Sequence, residues 1–431
     1  MPFFLATCDP DFESSFSKIL TATRGEAQDI AQTVSDIISD VRQNGDKAVL
    51  NYTQRFDDAE ATLGSLKVNA VDLADAERHL SQDIKDALLF AKKRIMSFHQ
   101  RQLPKHDYYE DQERVYLGMR YTPVDAAGVY VPGGAASYPS SAVMNIIPAK
   151  IAGVARVVAV VPAPQGHLHP AILYALKICD VDEIYKIGGA QAVAALAYGT
   201  DMIKPVDKIT GPGNAYVAEA KRQVFGKVGI DSIAGPSEVL VLADATANAE
   251  YVALDLLSQA EHDPLAQAIL VTDSSDLAEN VKQHIGEYLK TLSRKEIAAK
   301  SWQDYGVIIV TETLIEATEI SNRFAPEHLE LCVEDAEVII QHIKHAGAIF
   351  IGHYTPEAIG DYVGGPNHVL PTDRTARFAS GLGTLDFMKR TTLIKCDSKS
   401  LKNIGQHAVT IANAEGLEAH GLSVSKRLEH I

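Results

Sequence analysis

The apolar residues Ile30, Val34, Ile37, Ile38 and Val41 form one helical stripe between Glu26 and about Asn44, and Gly45-Asp46 breaks it. A longer stripe, Ile84, Leu88, Ala91, Ile95 and Phe98, advances in steps of 4, 3, 4 and 3 and predicts a second helix. After it the period changes. Residues 114–121 and 126–131 predict strands, and 157–161 is an uninterrupted apolar run, as expected of a strand buried on both faces. Strands at 184–187 and 208–210 lead through glycine turns into helices at 190–196 and 215–224. The run 239–243 predicts another strand, followed by a helix-like segment whose last turn carries Gln259 and His262. Strands at 267–272, 306–310 and 347–351 then alternate with helices near 277–289, 314–323 and 336–343.

Repeated βα alternation predicts an α/β fold of two Rossmann-like units, each an incomplete, doubly wound parallel sheet, with small N- and C-terminal segments. Residues 1–25 lack a long period and read as an arm. Residues 26–128 and 239–378 are expected to form one α/β domain, and 129–238 an α/β domain inserted in it. Residues 379–431 look loop-rich with little core of their own, a tail docking onto another domain or subunit.

A chain of 431 residues is too long for one ordinary core, which agrees with more than one domain. Its 40 Lys and Arg against 56 Asp and Glu leave a net charge of −16, which repels phosphate backbones and argues against a nucleic-acid partner. The cysteines Cys8, Cys179, Cys332 and Cys396 are widely spaced, giving neither a disulfide framework nor a thiolate zinc site. The N-terminus has no signal-peptide pattern, and no stretch approaches the roughly 20 apolar residues of a spanning helix. A cytoplasmic protein with no membrane partner is expected.

Three turns are rich in glycine: Gly133-Gly134, Gly188-Gly189 and Gly211-Pro212-Gly213. Such turns let a diphosphate approach a helix N-terminus. None completes GxGxxG, because Tyr216 holds the sixth position from Gly211, and plain tight turns are the simpler account on spacing alone. Gln259 and His262, at i and i+3 on a helix, project from one face. Together with Asp361 and His420, and with His368 nearby in sequence to Asp361, they offer oxygen and nitrogen donors suited to Zn²⁺ or a neighbouring divalent ion. With 15 histidines chance clusters arise easily, and spacing alone does not bring these residues together. Glu327 and His328 set an acid beside a histidine just after Pro326; they can serve one pocket as two bases, or be an exposed pair.

The run Ile230-Asp231-x-x-Ala234-Gly235-Pro236-Ser237-Glu238, continuing to Asp255-Leu256-Leu257-Ser258-Gln259-Ala260-Glu261-His262, resembles the signature of the histidinol dehydrogenase family. The resemblance extends over the chain, through Tyr130-Val131-Pro132-Gly133-Gly134, Thr210-Gly211-Pro212-Gly213-Asn214, Phe324-Ala325-Pro326-Glu327-His328 and Gly364-Gly365-Pro366-Asn367-His368. It implies oxidation of L-histidinol to L-histidine through the aldehyde, with two NAD⁺ reduced in sequence, in the last steps of histidine biosynthesis. By the same resemblance Gln259, His262, Asp361 and His420 are ligands of one Zn²⁺ per subunit and also substrate contacts. Glu327 and His328 are acid–base residues, His328 touching substrate too. Ser237, His368 and Glu415 contact substrate, and Tyr130, Gln191 and Asn214 touch NAD on the inserted unit. The resemblance further implies a domain-swapped homodimer, in which the tail carries Glu415 and His420 into the partner's site. Competing classes are a relative oxidising another small alcohol, a metal-dependent hydrolase and a non-catalytic scaffold. The complete residue set argues against the first and third, and the glycine turns against the second.

Overall fold

The computed structural model describes residues 2–22, 24, 30–133 and 138–431. Glu26, the expected start of the first helix, and Gly134 of the first glycine turn lie outside them. The strands in chain order are β1 (Phe3–Ala6), β2 (Asp107–Glu110), β3 (Tyr116–Pro123), β4 (Ala126–Tyr130), β5 (Arg156–Val160), β6 (Glu183–Tyr185) and β7 (Lys208–Thr210). They continue with β8 (Gly229–Ile230), β9 (Glu238–Ala243), β10 (Gln267–Thr272), β11 (Val307–Val310), β12 (His328–Cys332), β13 (Ala348–Ile351) and β14 (Met388–Lys395).

The expected α/β class with parallel sheets is what forms. One parallel sheet has the order β6-β5-β4-β7-β8, and a second, six-stranded and also parallel, has β1-β11-β10-β9-β12-β13. Set β1 aside and both follow the same rule: the first three strands run outward in one direction, then the chain crosses back and adds two on the other side. The reversal falls between β4 and β7 in one sheet and between β9 and β12 in the other. A third, antiparallel sheet of order β14-β3-β2 joins the tail to the N-terminal half.

The central strands are buried on both faces, which is why their apolar runs do not alternate. Alternate residues of the five-stranded sheet face two cores: Val129, Val157 and Ala159 on one side, Tyr130, Val158 and Val160 on the other. Packing of the preceding helices departs from the expected division. Helix Ala31–Asn44 buries Val34, Ile37, Ile38 and Val41 against this sheet, and helix Gln82–Gln100 buries Leu88, Ala91 and Ile95 against its opposite side. The expected arm is also structured: β1 pairs with β11, and Phe12, Phe16 and Ile19 of helix Phe12–Thr21 enter the core beneath the six-stranded sheet.

The tail departs most from its expected loop-rich character. Strand β14 pairs with β3 along its whole length, Met388 opposite Pro123 through Lys395 opposite Tyr116. Helices Ser398–Ala414 and Glu418–Leu428 then pack on each other, with Leu428 and Val424 closing over Gly405. Because β14 is largely exposed, it carries no buried alternation by which a strand is recognised in sequence.

Candidate active site

Strands β9 and β12 lie side by side, His328 in register with Val239 and Glu330 with Val241. Cys332 packs on the side of helix Ala249–Ala260, whereas Leu329 and Leu331 enter the opposite core. Period-two alternation therefore puts His328 and Glu330 on the helix side with Cys332. Helix Leu314–Phe324 ends at Ala325, held left-handed at φ 47°, and Pro326 follows, so the chain turns at once into Glu327 and β12.

Glu327 Oε2 accepts a hydrogen bond from the Glu238 N–H at 3.0 Å. His328 Nδ1 lies 2.9 Å from the Glu238 carbonyl oxygen. A carbonyl only accepts, so Nδ1 holds the ring proton and donates, leaving Nε2 as the basic nitrogen. That Nε2 is buried without a hydrogen-bond partner, 3.8 Å from Glu357 Oε1 and 3.9 Å from Asp361 Oδ1. His368 repeats the device, its Nδ1 donating to the Asp361 carbonyl oxygen at 3.0 Å. Beneath them Arg24 pairs with buried Glu238 and donates to the Ser237 carbonyl oxygen at 3.3 Å, which fixes the start of β9.

Burial dominates the electrostatics. It pushes the Glu327 carboxyl up to about 8, against the opposing pull of His328. Glu357 and Glu330 are held well above the usual carboxylate range by burial, and burial also raises Asp255 to about 6, against the opposing pull of Glu330. Burial lowers His262 and His368, and Asp361 offsets this only in part, so both imidazoles stay neutral near pH 7, the form that binds metals. For Glu327 the linkage has a definite sign. Its native value, about 8, exceeds the ordinary 4.5, so the native state holds more protons between them. Its contribution to stability is full below about pH 4.5 and is lost as pH rises through about 8. Urea midpoints of metal-stripped protein should fall over that window less in Glu327→Gln than in wild type; parallel curves would refute the assignment.

Helix Ala249–Ala260 brings Gln259 to the site on its last turn. The side chain is fully buried, and neither its amide oxygen nor its nitrogen has a protein partner. An unpaired buried amide costs roughly 1–3 kcal/mol, a cost that a bound cation would remove from the oxygen. The expected helix pair needs one correction: the helix stops at Ala260, and His262 lies beyond it, in a turn closed by its N–H to the Gln259 carbonyl oxygen at 3.2 Å. Asp361 sits on helix Glu357–Tyr362 and, with neutral His262 and the Gln259 amide, makes a mixed oxygen and nitrogen donor set of the type divalent zinc accepts. Donor atoms of His328, Glu357 and Asp361 also lie within 4.8 Å of one another, so Asp361 is common to both sets.

His262, Glu327, His328, Asp361 and His368 thus converge, Ser237 adjoins them at the start of β9, and Gln259 stands three residues before His262 at the end of its helix. Glu415 and His420 do not join them: both are exposed on the tail of the single chain. Tyr130, Gln191 and Asn214 gather instead where the five-stranded sheet reverses. The Tyr130 hydroxyl accepts from the Gly189 N–H at 3.1 Å, Gln191 is buried beside Gly189, and Asn214 caps helix Ala215–Val224. Glu357, Glu330 and Asp255 were not singled out from sequence. Two signals were available: Glu357 stands four residues before Asp361 on one helical face, and Glu330 stands two residues after His328 on one strand face.

The histidinol dehydrogenase family profile matches residues 20–428. The chain is 55% identical over 429 residues to a histidinol dehydrogenase of Rhodospirillum rubrum, covering 99% of each chain. It is 54% identical over 431 residues to that of Ruegeria pomeroyi, covering 100% of both. The crystal structure of histidinol dehydrogenase from Elizabethkingia anophelis superposes with a TM-score of 0.95 at 36% identity, covering 100% of this chain and 98% of that one. The protein belongs to the histidinol dehydrogenase family and is an oxidoreductase.

Proposed function

We propose that this chain oxidises L-histidinol to L-histidine through L-histidinaldehyde, with NAD as hydride acceptor in both steps. The observation that carries the reading is the unpartnered His328 Nε2, held bare by the Nδ1 hydrogen bond and facing Asp361 and Glu357. In the first step this nitrogen takes the proton of the substrate hydroxyl. In the second, Glu327, 3.7 Å from His328 Nδ1 and ionised as pH rises through about 8, takes a proton from the water that adds to the aldehyde. Once His328 has released its first proton to solvent, its Nε2 takes the hydroxyl proton of the hydrate as the second hydride leaves to a fresh NAD⁺. Gln259, His262 and Asp361, with His420 of a second copy, would hold Zn²⁺, whose contribution when bound is to fix a substrate that is itself a ligand. Ser237, His368 and Glu415 would complete the substrate contacts.

Tyr130, Gln191 and Asn214 support a Rossmann-like cofactor edge, because ligands of open α/β sheets bind beyond the strand ends where the order reverses. A homodimer with crossing tails is supported by apolar surface on the tail. Ile394, Ile411 and Leu422 are 73%, 59% and 47% exposed in the single chain. No helix among the described residues is long and apolar enough to cross a membrane, and the cytoplasm is the proposed location. Purified protein given L-histidinol and NAD⁺ should yield histidine with two NADH for each molecule formed. A ratio of one, or aldehyde as the end product, would refute the four-electron reaction.

A further inference from the structure

Asp231 belongs to the run that carries the family resemblance, yet it has no part in the chemistry above. It follows β8, and its carboxylate accepts a hydrogen bond from the Gly211 N–H at 2.7 Å. The same carboxylate forms an ion pair with Lys221 on helix Ala215–Val224, and the Lys221 ammonium donates to the Gly211 carbonyl oxygen at 3.0 Å. The Lys221 and Asp231 side chains are only 2% and 4% exposed. A buried pair of opposite charges therefore grips both polar groups of a single residue. Gly211 stands at φ 111°, and a Cβ there would come within 2.0 Å of the Tyr130 carbonyl oxygen. Gly211 has no side chain of its own to hold it in place. What holds it comes from the following helix and strand.

The arrangement has an electrostatic consequence. In the common glycine-rich turn, free N–H groups face a diphosphate. Here the Gly211 N–H is committed to a carboxylate, and an uncompensated carboxylate beneath the turn would repel an anionic cofactor. Lys221 cancels that charge where low dielectric magnifies it. Asn214 Oδ1 accepts from the Val217 N–H at 3.1 Å, so the segment from Gly211 to Asn214 is held at both ends.

We propose that Lys221 and Asp231 are a positioning pair for the dinucleotide: they set the Gly211 turn and keep the ground beneath it neutral. This rests on the reading that NAD binds along this edge. The test compares wild type, Lys221→Met, Asp231→Asn and the double variant, all zinc-loaded. The double variant has no buried charge and keeps an acceptor for the Gly211 N–H, but loses the donor to its carbonyl. Lys221→Met should raise the KM for NAD⁺ about tenfold or more, and the double variant less, while kcat and the histidinol KM stay within about twofold. Calorimetric titration with NAD⁺ separates the two levels of the argument. If wild type does not bind NAD⁺, the cofactor reading fails and the pair's role with it. If wild type binds and the folded double variant binds equally well, the cofactor reading stands and the positioning pair is refuted. Equal losses in histidinol KM and zinc content would mark a purely structural pair and also overturn the proposal. Should Lys221→Met fail to fold, Asp231→Asn and the double variant decide.

Discussion

Replacing His328 by Asn should lower kcat for L-histidinol roughly 10²–10⁴-fold, the usual range for loss of a positioned base. The Asn amide can still donate to the Glu238 carbonyl that now holds Nδ1, so the strand pairing beneath the site is kept. What disappears is the basic nitrogen at Nε2. Glu327→Gln should fail in a different place. Its amide oxygen can still accept from the Glu238 N–H, and His328 is intact, so alcohol oxidation should fall little while hydration of the aldehyde stalls. Supplying L-histidinaldehyde directly separates the steps. Glu327→Gln should lose most activity on the aldehyde, and His328→Asn should lose activity on both substrates. If the two variants lose the same amount on each substrate, the division of roles between these neighbours is wrong. Unchanged zinc content and melting temperature are the controls.

Mixing two inactive chains should restore activity. In the single chain His420 is exposed on helix Glu418–Leu428, whereas Gln259 is fully buried and Asp361 stands 3.9 Å from His328. If the tail completes a partner's site, a dimer of His262→Ala with His420→Ala has one site carrying both lesions and one carrying neither. Random pairing of equal amounts should then return about one quarter of wild-type activity, because half the dimers are mixed and each has one intact site. The assay needs an unfolding and refolding step, with heterodimer measured by a mass tag. Heterodimer without activity would refute the shared site. Activity in either variant alone would refute the role of the mutated histidine.

Much of the fold was legible because buried parallel strands give unbroken apolar runs and their helices a single stripe. β10 and helix Ala215–Val224 fall where the sequence pattern put them. Strand β12 was not predicted, because Glu327 precedes it and His328 and Glu330 interrupt its apolar run with polar residues that are buried for the site and not for the core. β1 and β14 were missed for the opposite reason, as edge strands with too much exposed surface to show a period. The helices from residue 31 to 100 showed which face was apolar, but an apolar face does not say which sheet will cover it.

For the site, sequence alone determined that the chain is α/β with parallel sheets, that it carries a family signature, and which residue types stand ready for acid–base and metal chemistry. Those depend on side-chain identity and local period, which a sequence states directly. Only the tertiary structure decided that His262, His328, Asp361 and His368 come together, that Nε2 is the free nitrogen of His328, and that Glu357 stands beside it. It also decided that Asp231 and Lys221 meet around Gly211. These depend on strand register and on how far water is excluded. Both are set by packing between segments far apart in the chain: the Thr372 side-chain oxygen accepts from the Gly235 N–H across a separation of 137 residues, and Arg24 donates to the Ser237 carbonyl oxygen across 213. No local pattern encodes contacts of that range.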